Sequence, residues 1–250
     1  MVYYQTNLGK LYNSDCIEVM KDISSNSIDL ILTDPPYNTR KKSTIELHGY
    51  VVSSNFVEEV YEGWDNVSLK DLYSNIFPIF NRILKDNGSV VMFTGQDGIG
   101  YAKEFAEDND LELKSLMIWE KTNATPSIRQ KNYVSAIEPI IWLSRRREIC
   151  DYRFNFLGHH EMLNIFRYPI CGGKERTNHA TQKPLRLIEK LIYIHSNEGD
   201  TILDPFLGSG TVSVACEKMN RKWIGIEVIA SYCNISKDRI EAESNQKKLF

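Results

Sequence analysis

The sequence has no apolar run of the roughly 18 residues that a membrane-spanning helix needs. Its first ten residues are polar and contain no hydrophobic signal segment, so we expect a cytoplasmic protein without membrane contact. It has only five cysteines, and no two of them form a Cys-x-x-Cys pair. Their odd number and their spacing argue against a disulfide framework and against a zinc site, and we expect no bound metal. Internal repeats and low-complexity segments are also absent from the sequence.

The net charge is only −3, but the charges are unevenly distributed along the chain. Residues 121–186 contain 12 lysines and arginines against 5 aspartates and glutamates, a balance of +7 that leaves −10 for the other residues. A basic segment within an acidic chain predicts one face that binds a polyanion such as nucleic acid. The alternative is chance clustering on a solvated surface.

With 250 residues, 42% of them apolar, the chain is long enough for one α/β domain with a modest insertion. Short β-rich runs alternate with helical stretches, a pattern that predicts a mostly parallel sheet with helices on both faces. The predicted strands cover residues 10–13, 28–33, 89–94, 113–120, 136–143, 201–204 and 223–227. The predicted helices cover residues 16–21, 69–84, 98–108, 184–195, 211–219 and 229–243. Helix-to-strand turns are predicted at 85–88 and 197–200.

Two stretches, residues 39–65 and 122–178, do not fit this alternation. Long insertions in a compact domain are usually functional or disordered. The first stretch follows two prolines and a tyrosine, and its length and polarity predict a mobile loop. The second carries lysines and arginines interleaved with aromatic residues, so we expect it to contact nucleic acid.

Residues 204–211, Asp-Pro-Phe-Leu-Gly-Ser-Gly-Thr, connect a predicted strand to a predicted helix. The glycines allow the backbone to approach a ligand closely, and the start of the helix offers unpaired N–H groups. Glu227 stands 23 residues after Asp204, at the end of the next predicted strand, where a carboxylate can accept hydrogen bonds from both hydroxyls of a ribose. This arrangement predicts a nucleoside cofactor. The alternatives are a plain structural turn and a dinucleotide fingerprint, GxGxxG or GxGxxA, whose last position Ser213 occupies here.

Asp34, Pro35, Pro36 and Tyr37 directly follow the predicted strand at 28–33. Ligands of open α/β sheets bind beyond the carboxyl ends of the strands. Because prolines lack an N–H donor, the Asp34 carboxylate and the Pro35 carbonyl form an acceptor pair for the two hydrogens of an amino group. Tyr37 offers a flat face on which a base extruded from DNA can stack. We interpret these four residues as a catalytic site, with a simple strand-end turn as the alternative.

The two segments and their order along the chain resemble those of the β group of DNA amino-methyltransferases, in which the usual methyltransferase motif order is circularly permuted. The resemblance extends over residues 11–239. It implies a Rossmann-like methyltransferase fold in a single catalytic domain, residues 1–250, with S-adenosyl-L-methionine as cofactor and DNA as substrate. In this family an aspartate at the start of the catalytic motif usually goes with N6 of adenine. We therefore expect direct in-line methyl transfer to N6 of a flipped-out adenine. Transfer to N4 of cytosine, to adenine in RNA, and a catalytically silent DNA-binding module are the alternatives.

Two further elements extend the resemblance. His-Ala-Thr-Gln-Lys-Pro at 179–184 is similar to the family's His-Pro-Thr-Gln-Lys-Pro element beside the cofactor, with Ala180 in place of the usual proline. Asn-Ser-Asp-Cys at 13–16 looks like the opening Gly-Asp-Cys element, with Ser14 in place of glycine, and implies a contact between Asp15 and the cofactor's adenine. Together with the glycine segment, these elements predict the following cofactor-binding residues: Asp15, Cys16, Asp34, His179, Thr181, Gln182, Lys183, Asp204, Pro205, Phe206, Gly208, Ser209, Gly210, Thr211 and Glu227.

Trp-Glu-Lys-Thr-Asn at 119–123 looks like the family's entry to the target-recognition region, with Ala124 in place of the usual proline. The resemblance implies that residues 122–178 read the DNA sequence. Lysines and arginines there are expected to reach phosphates and guanine edges. The predicted DNA-binding residues are Lys121, Asn123, Arg129, Lys131, Arg145, Arg146 and Arg147. A separate cognate restriction endonuclease and a second copy of the chain are the expected protein partners.

Overall fold

The computed structural model describes residues 1–36, 45–47, 50–52, 68–127, 130–147 and 151–247. Its strands are β1 (Val2–Gln5), β2 (Gly9–Asn13), β3 (Ile28–Thr33), β4 (Ile45–Leu47), β5 (Tyr50–Val52), β6 (Leu84–Phe93), β7 (Leu111–Lys121), β8 (Ile137–Arg145), β9 (Ile165–Tyr168), β10 (Thr201–Asp204) and β11 (Lys222–Glu227). Its helices are α1 (Cys16–Lys21), α2 (Leu69–Ile83), α3 (Gln96–Asp108), α4 (Leu185–His195), α5 (Thr211–Met219) and α6 (Ala230–Lys247). In this part of the chain, no helix is long and apolar enough to cross a membrane.

The described strands other than β4 and β5 form one sheet in the order β1-β2-β11-β10-β3-β6-β8-β7-β9. The neighbours β2, β11, β10, β3 and β6 are parallel, whereas β1 and β8 run in the opposite direction. Strands β4 and β5 pair with each other as a separate antiparallel hairpin. Because the five central strands are parallel, their carboxyl ends meet at one edge, which we call the carboxyl edge.

Strand β3 shows why the centre of the sheet has a mainly apolar sequence. All six of its residues are buried, because helices cover both faces of the sheet. Leu30 and Leu32 belong to one core cluster, which contains residues of α4, α5 and α6. Ile31 points to the other face and belongs to a second cluster, which contains residues of α1, α2 and α3. The predicted mostly parallel sheet with helices on both faces is therefore confirmed.

Some elements differ from the sequence prediction. Strands β1 and β9 were not predicted, and β9 lies within the predicted insertion, where it pairs with β7 at the edge of the sheet. The turn predicted at 85–88 is wrong, because β6 already begins at Leu84 and these residues form an irregular part of it with a shift in register against β3. Lys85 in this segment donates to the buried Asp29 at 2.8 Å, which stabilises a polar stretch within the strand. The turn predicted at 197–200 is confirmed, and Gly199 there has φ +81°.

His195, the last residue of α4, is buried against the rings of Trp142 and Phe154, with ring centroids 4.9 and 5.6 Å away. Burial lowers its pKa from 6.5 to about 3. Between pH 6.5 and about 3, His195 is therefore protonated in the unfolded chain but remains neutral in the folded chain. We expect His195 to reduce the free energy of unfolding as the pH falls from 6.5 towards 3, by up to about 1.4 kcal/mol per pH unit.

Replacing His195 by phenylalanine should remove this contribution and make the acid-dependent loss of stability shallower. The measurement is the urea midpoint of unfolding at several pH values between 7 and about 4. His160→Phe changes an exposed histidine and is the matched control, which should keep the wild-type pH dependence. An equally steep loss in His195→Phe and wild type would contradict this assignment.

Candidate active site

The loop between β10 and α5, residues 205–210, requires glycine at two positions, and we call it the glycine loop. Gly208 and Gly210 have left-handed backbone conformations, with φ +55° and +81°. A Cβ atom at Gly208 would lie 2.7 Å from Nε2 of His179, and one at Gly210 would lie 2.9 Å from Cβ of Ser236. Within the described chain, no side chain caps the first turn of α5, so its N–H groups remain available to a ligand at the carboxyl edge.

Helix α6 holds this loop in place through two residues that sequence analysis missed. The Ser236 hydroxyl donates to the Gly208 carbonyl at 2.7 Å. The Arg239 guanidinium donates to the Ser209 carbonyl at 2.5 Å and to the hydroxyls of Ser209 and Thr211 at 3.1 Å. Ser236 and Arg239 are three residues apart and so share one helix face, but only the tertiary packing shows that this face lies under the loop.

Glu227 ends β11 beside the loop and is buried. One of its carboxylate oxygens accepts the Gly208 N–H and the other accepts the Ile229 N–H, both at 2.8 Å. Burial raises its pKa, and these backbone hydrogen bonds partly offset that rise. A carboxylate oxygen can accept more than one hydrogen bond, so both oxygens retain capacity for the hydroxyls of a ribose. The next residue, Val228, is 40% exposed and offers an apolar surface there that sequence analysis did not identify.

Asp204 joins the glycine loop to the Asp34 motif. Its carboxylate accepts the Thr33 hydroxyl at 2.8 Å and the Phe206 N–H at 3.1 Å. Burial raises its pKa to about 7, the two hydrogen bonds oppose that rise, and the nearby charges of Asp34 and Glu227 add to it. Because Thr33 immediately precedes Asp34, this hydrogen bond places the ends of β3 and β10 side by side. Pro205 is buried directly after this junction.

Asp15 and Cys16 lie where β2 leads into α1, next to the end of β11. The Asp15 carboxylate caps α1 by accepting the N–H groups of Ile17 at 2.8 Å and Glu18 at 3.2 Å. The register pairs Asn13 with Glu227, so this turn lies beside the Glu227 end of the edge. Cys16 is buried, which raises the pKa of its thiol to about 12 and keeps it neutral.

The segment before α4 covers the glycine loop. His179 packs against Gly208 and against the ring of Tyr232, with ring centroids 4.5 Å apart. Burial, followed by the charge of Lys183, lowers the His179 pKa to about 4, so the imidazole is neutral at pH 7. Gln182 is buried, accepts the N–H and hydroxyl of Thr177 and donates to the Glu175 carbonyl, so it shapes this segment. Thr181 is exposed.

Asp34 lies at the end of β3 in contact with Lys183, whose ammonium donates to an oxygen of its carboxylate. Lys183 also forms an ion pair with Glu138 of β8 at 2.9 Å. Pro35 is buried and Pro36 is exposed. Tyr37 lies outside the described residues, and so does most of the loop predicted at 39–65.

The predicted DNA-binding residues do not share one surface. Lys121 ends β7 at the carboxyl edge and pairs with Glu138 at 2.9 Å. The Asn123 side chain accepts the Ile170 N–H at 2.6 Å and so organises the loop. Lys131 is exposed between β7 and β8, and Arg129 lies outside the described residues.

The cluster Arg145, Arg146 and Arg147 lies at the opposite edge of the sheet, because β8 runs antiparallel to β6 and pairs Ser144 with Ser89. The Arg145 guanidinium donates to the carbonyls of Leu84 and Asn81. Arg147 pairs with Asp86 at the same edge. The three arginines therefore do not extend the surface around Asp34. A count of charges along the sequence contains no information about strand direction.

A family model for DNA methylases, N6_N4_Mtase, matches residues 28–238. The chain belongs to this DNA methylase family. It is 30% identical over 242 residues to the Type II methyltransferase M2.MboI of Moraxella bovis, covering 92% of this chain and 86% of that protein. It is 27% identical over 254 residues to the Type II methyltransferase M2.DpnII of Streptococcus pneumoniae, covering 97% and 93% respectively.

Solved structures give the same assignment for this DNA methylase. The complex of M1.HpyAVI with S-adenosylmethionine superposes with a TM-score of 0.71 at 29% identity, covering 93% of this chain and 98% of that one. The cytosine-N4-specific PvuII DNA methyltransferase has the same fold, with a TM-score of 0.71, 18% identity and coverage of 98% and 94%. S-adenosyl-L-methionine is the cofactor of this methylase. The glycine loop, the start of α5 and the two Glu227 oxygens fit its nucleoside and charged groups.

Proposed function

We propose that this DNA methylase transfers a methyl group to N6 of adenine, using Asp34 and Pro35 to hold the amino group. The observation that carries the proposal is the 2.8 Å hydrogen bond between Thr33 and Asp204. It brings the end of β3, with its acceptor pair, next to the end of β10, where the glycine loop begins. The proposed site for the amino group and the proposed site for the methyl donor thus lie at the same edge of the sheet.

The chemistry follows from the acceptors at the end of β3. The Asp34 carboxylate and the Pro35 carbonyl accept the two hydrogens of the amino group, which directs the nitrogen lone pair away from the base plane. S-adenosyl-L-methionine, when bound, supplies an electrophilic methyl group. The nitrogen–carbon bond forms as the carbon–sulfur bond breaks, and the nitrogen then loses one proton to solvent. Asp34 stabilises the positive charge that develops on the nitrogen.

The base must leave the duplex before the transfer, at a cost of a few kcal/mol. We propose that Tyr37 stacks on the extruded base, a contact worth about 1–3 kcal/mol. An aspartate at the start of the motif favours adenine over cytosine in the family that the sequence resembles. The exposed Lys131 and the part of region 122–178 that lies at the carboxyl edge are proposed to contact DNA there. The Type II methyltransferase relatives support a role in restriction-modification. We propose a separate restriction endonuclease as the counterpart of the methylase.

Nucleoside analysis by mass spectrometry tests the proposed base. DNA without methylated bases is incubated with the protein and isotopically labelled S-adenosyl-L-methionine. It is then digested to nucleosides, whose masses are measured. We expect labelled N6-methyladenine. Labelled N4-methylcytosine would overturn the choice of base but retain the mechanism, whereas no labelled nucleoside from a folded, cofactor-binding protein would overturn the proposed function.

A further inference from the structure

Four charged side chains form a continuous network at the carboxyl edge. They come from separate parts of the chain: Asp34 after β3, Lys121 at the end of β7, Glu138 in β8 and Lys183 before α4. The two oxygens of Glu138 each receive one lysine ammonium at 2.9 Å, Lys183 on one side and Lys121 on the other. Lys183 makes the next contact, to the Asp34 carboxylate. Sequence analysis did not identify Glu138.

The Lys183 ammonium is held in a narrowly defined position. It is buried and donates to Asp34, to Glu138 and, at 3.4 Å, to the Thr181 carbonyl. It also lies 5.0 Å from the ring centroid of Phe93. An ammonium has three donors, and the contacts here occupy all three directions. Displacing Lys183 from Asp34 would therefore break a buried, charge-assisted hydrogen bond.

Glu138 is a buried carboxylate in a strand whose following residues, Pro139 and Ile140, are also buried. A buried carboxylate is destabilising unless it is paired. Its two partners here connect the first residue of the catalytic motif with the end of β7, where the predicted recognition region starts. No step of the proposed methyl transfer yet uses this residue.

We propose that Glu138 is a positioning residue for methyl transfer, because it holds the Lys183 ammonium against Asp34 and thereby fixes the carboxylate that receives the amino group. The inference rests on the proposed role of Asp34. Lys183 links the two carboxylates, because its ammonium contacts both Glu138 and Asp34 of the acceptor pair. Catalytic groups need to be held within about 0.5 Å of their productive geometry, and supporting residues of this kind provide that precision.

Replacing Glu138 by glutamine tests the inference. We expect the single-turnover rate at saturating DNA and S-adenosyl-L-methionine to fall by about 10- to 100-fold. The Kd for the cofactor should be nearly unchanged, because Glu138 pairs with Lys121 and Lys183. The glycine loop is held by other residues, namely Glu227, Ser236 and Arg239. Glu189→Gln breaks a 2.6 Å ion pair with Lys218 on helices α4 and α5, and this matched control should keep the wild-type rate.

The pH dependence separates positioning from a general structural role. Burial alone would lower the pKa of Lys183, but the charges of Asp34 and Glu138 outweigh burial and raise it. Among the described residues, Lys121, through Glu138, and His179 are further charged or titratable groups near it, and Asp204 and Tyr73 face Asp34. Without Glu138 the Lys183 pKa falls, so the alkaline decline of the single-turnover rate should begin at lower pH in Glu138→Gln.

A charge-balanced variant controls for an uncompensated lysine. Glu138→Gln leaves one excess positive charge in the network, and adding Lys121→Met removes it. If Glu138 positions Lys183, the double variant stays slow. Three results would each overturn the inference. The first is recovery of the rate in the double variant. The second is a Glu138→Gln rate within about twofold of wild type, which corresponds to less than 0.5 kcal/mol in the barrier, and the third is a slow rate whose alkaline decline is not shifted. Asp34→Ala is measured in the same assay. If that variant is inactive while any of these three results is found, the inference about Glu138 fails but the proposed function stands.

Discussion

Replacing Asp34 by alanine should lower the single-turnover rate of methyl transfer by at least about 1,000-fold, the upper range for losing one preorganised group that stabilises developing charge. The amino nitrogen becomes positively charged as the new bond forms, and Asp34 is the negative group at the end of β3 nearest to the proposed position of the base. Without it, the Pro35 carbonyl alone accepts from the amino group. The Kd for S-adenosyl-L-methionine should change far less than the rate, because the glycine loop and Glu227 are left intact.

Asp86→Ala is the matched control, since it removes an aspartate and its ion pair with Arg147 at the opposite edge of the sheet. It should retain the wild-type rate. Asp34→Asn keeps the shape of the side chain but removes its charge, so we expect a rate between those of wild type and Asp34→Ala. If Asp34→Ala methylated DNA at the wild-type rate, the catalytic site would have to lie elsewhere.

Replacing Gly208 by valine should weaken cofactor binding by roughly 30- to 3,000-fold. A side chain in the left-handed conformation costs about 1–2 kcal/mol, and overpacking against a fixed neighbour adds about 1–3 kcal/mol. Both apply here, because φ is +55° and the new Cβ would lie 2.7 Å from the His179 ring, which itself packs on Tyr232. Each 1.4 kcal/mol needed to restore the binding conformation of the loop weakens the affinity tenfold. The measurement is the Kd for S-adenosyl-L-methionine by titration calorimetry.

Gly172→Val controls for the same change of residue, because a Cβ at Gly172 meets nothing within 4 Å. It should bind the cofactor as tightly as wild type. Thermal unfolding of both variants shows whether the fold is retained. A Gly208→Val variant that binds with the wild-type Kd would contradict the assignment of this loop as the cofactor site.

The elements that the sequence predicted best have strong local signals. Helices 16–21 and 211–219 agree with the structure at both ends. The first begins at the capping Asp15, and the second follows a glycine. Strands 28–33 and 201–204 also agree at both ends, because short apolar runs at 30–32 and 202–203 are bounded by polar and turn residues, a pattern typical of short buried strands. The motifs attached to these elements accordingly lie together at the carboxyl edge.

The remaining features depend on contacts between residues distant in sequence. Glu138 and Lys183 are 45 positions apart, and neither the strand pattern around the first nor the motif around the second indicates the other. Ser236 and Arg239 support the glycine loop from the last helix in the same way. The position of the arginine cluster at the edge opposite Asp34 also follows from the direction of β8, which is set by its pairing with β6. Sequence patterns report local propensity and burial, whereas these positions follow from the topology of the sheet.

The most direct test of the account is a crystal structure of the protein with S-adenosyl-L-methionine. The central claim is that the loop after β10 and the acceptor pair after β3 form the two sides of one methyl-transfer site. We expect the ribose hydroxyls on Glu227, the methionine end between the glycine loop and His179, and the methyl group facing Asp34 and Pro35. A cofactor bound away from Gly208 and Glu227, or with its methyl group turned away from Asp34, would contradict it.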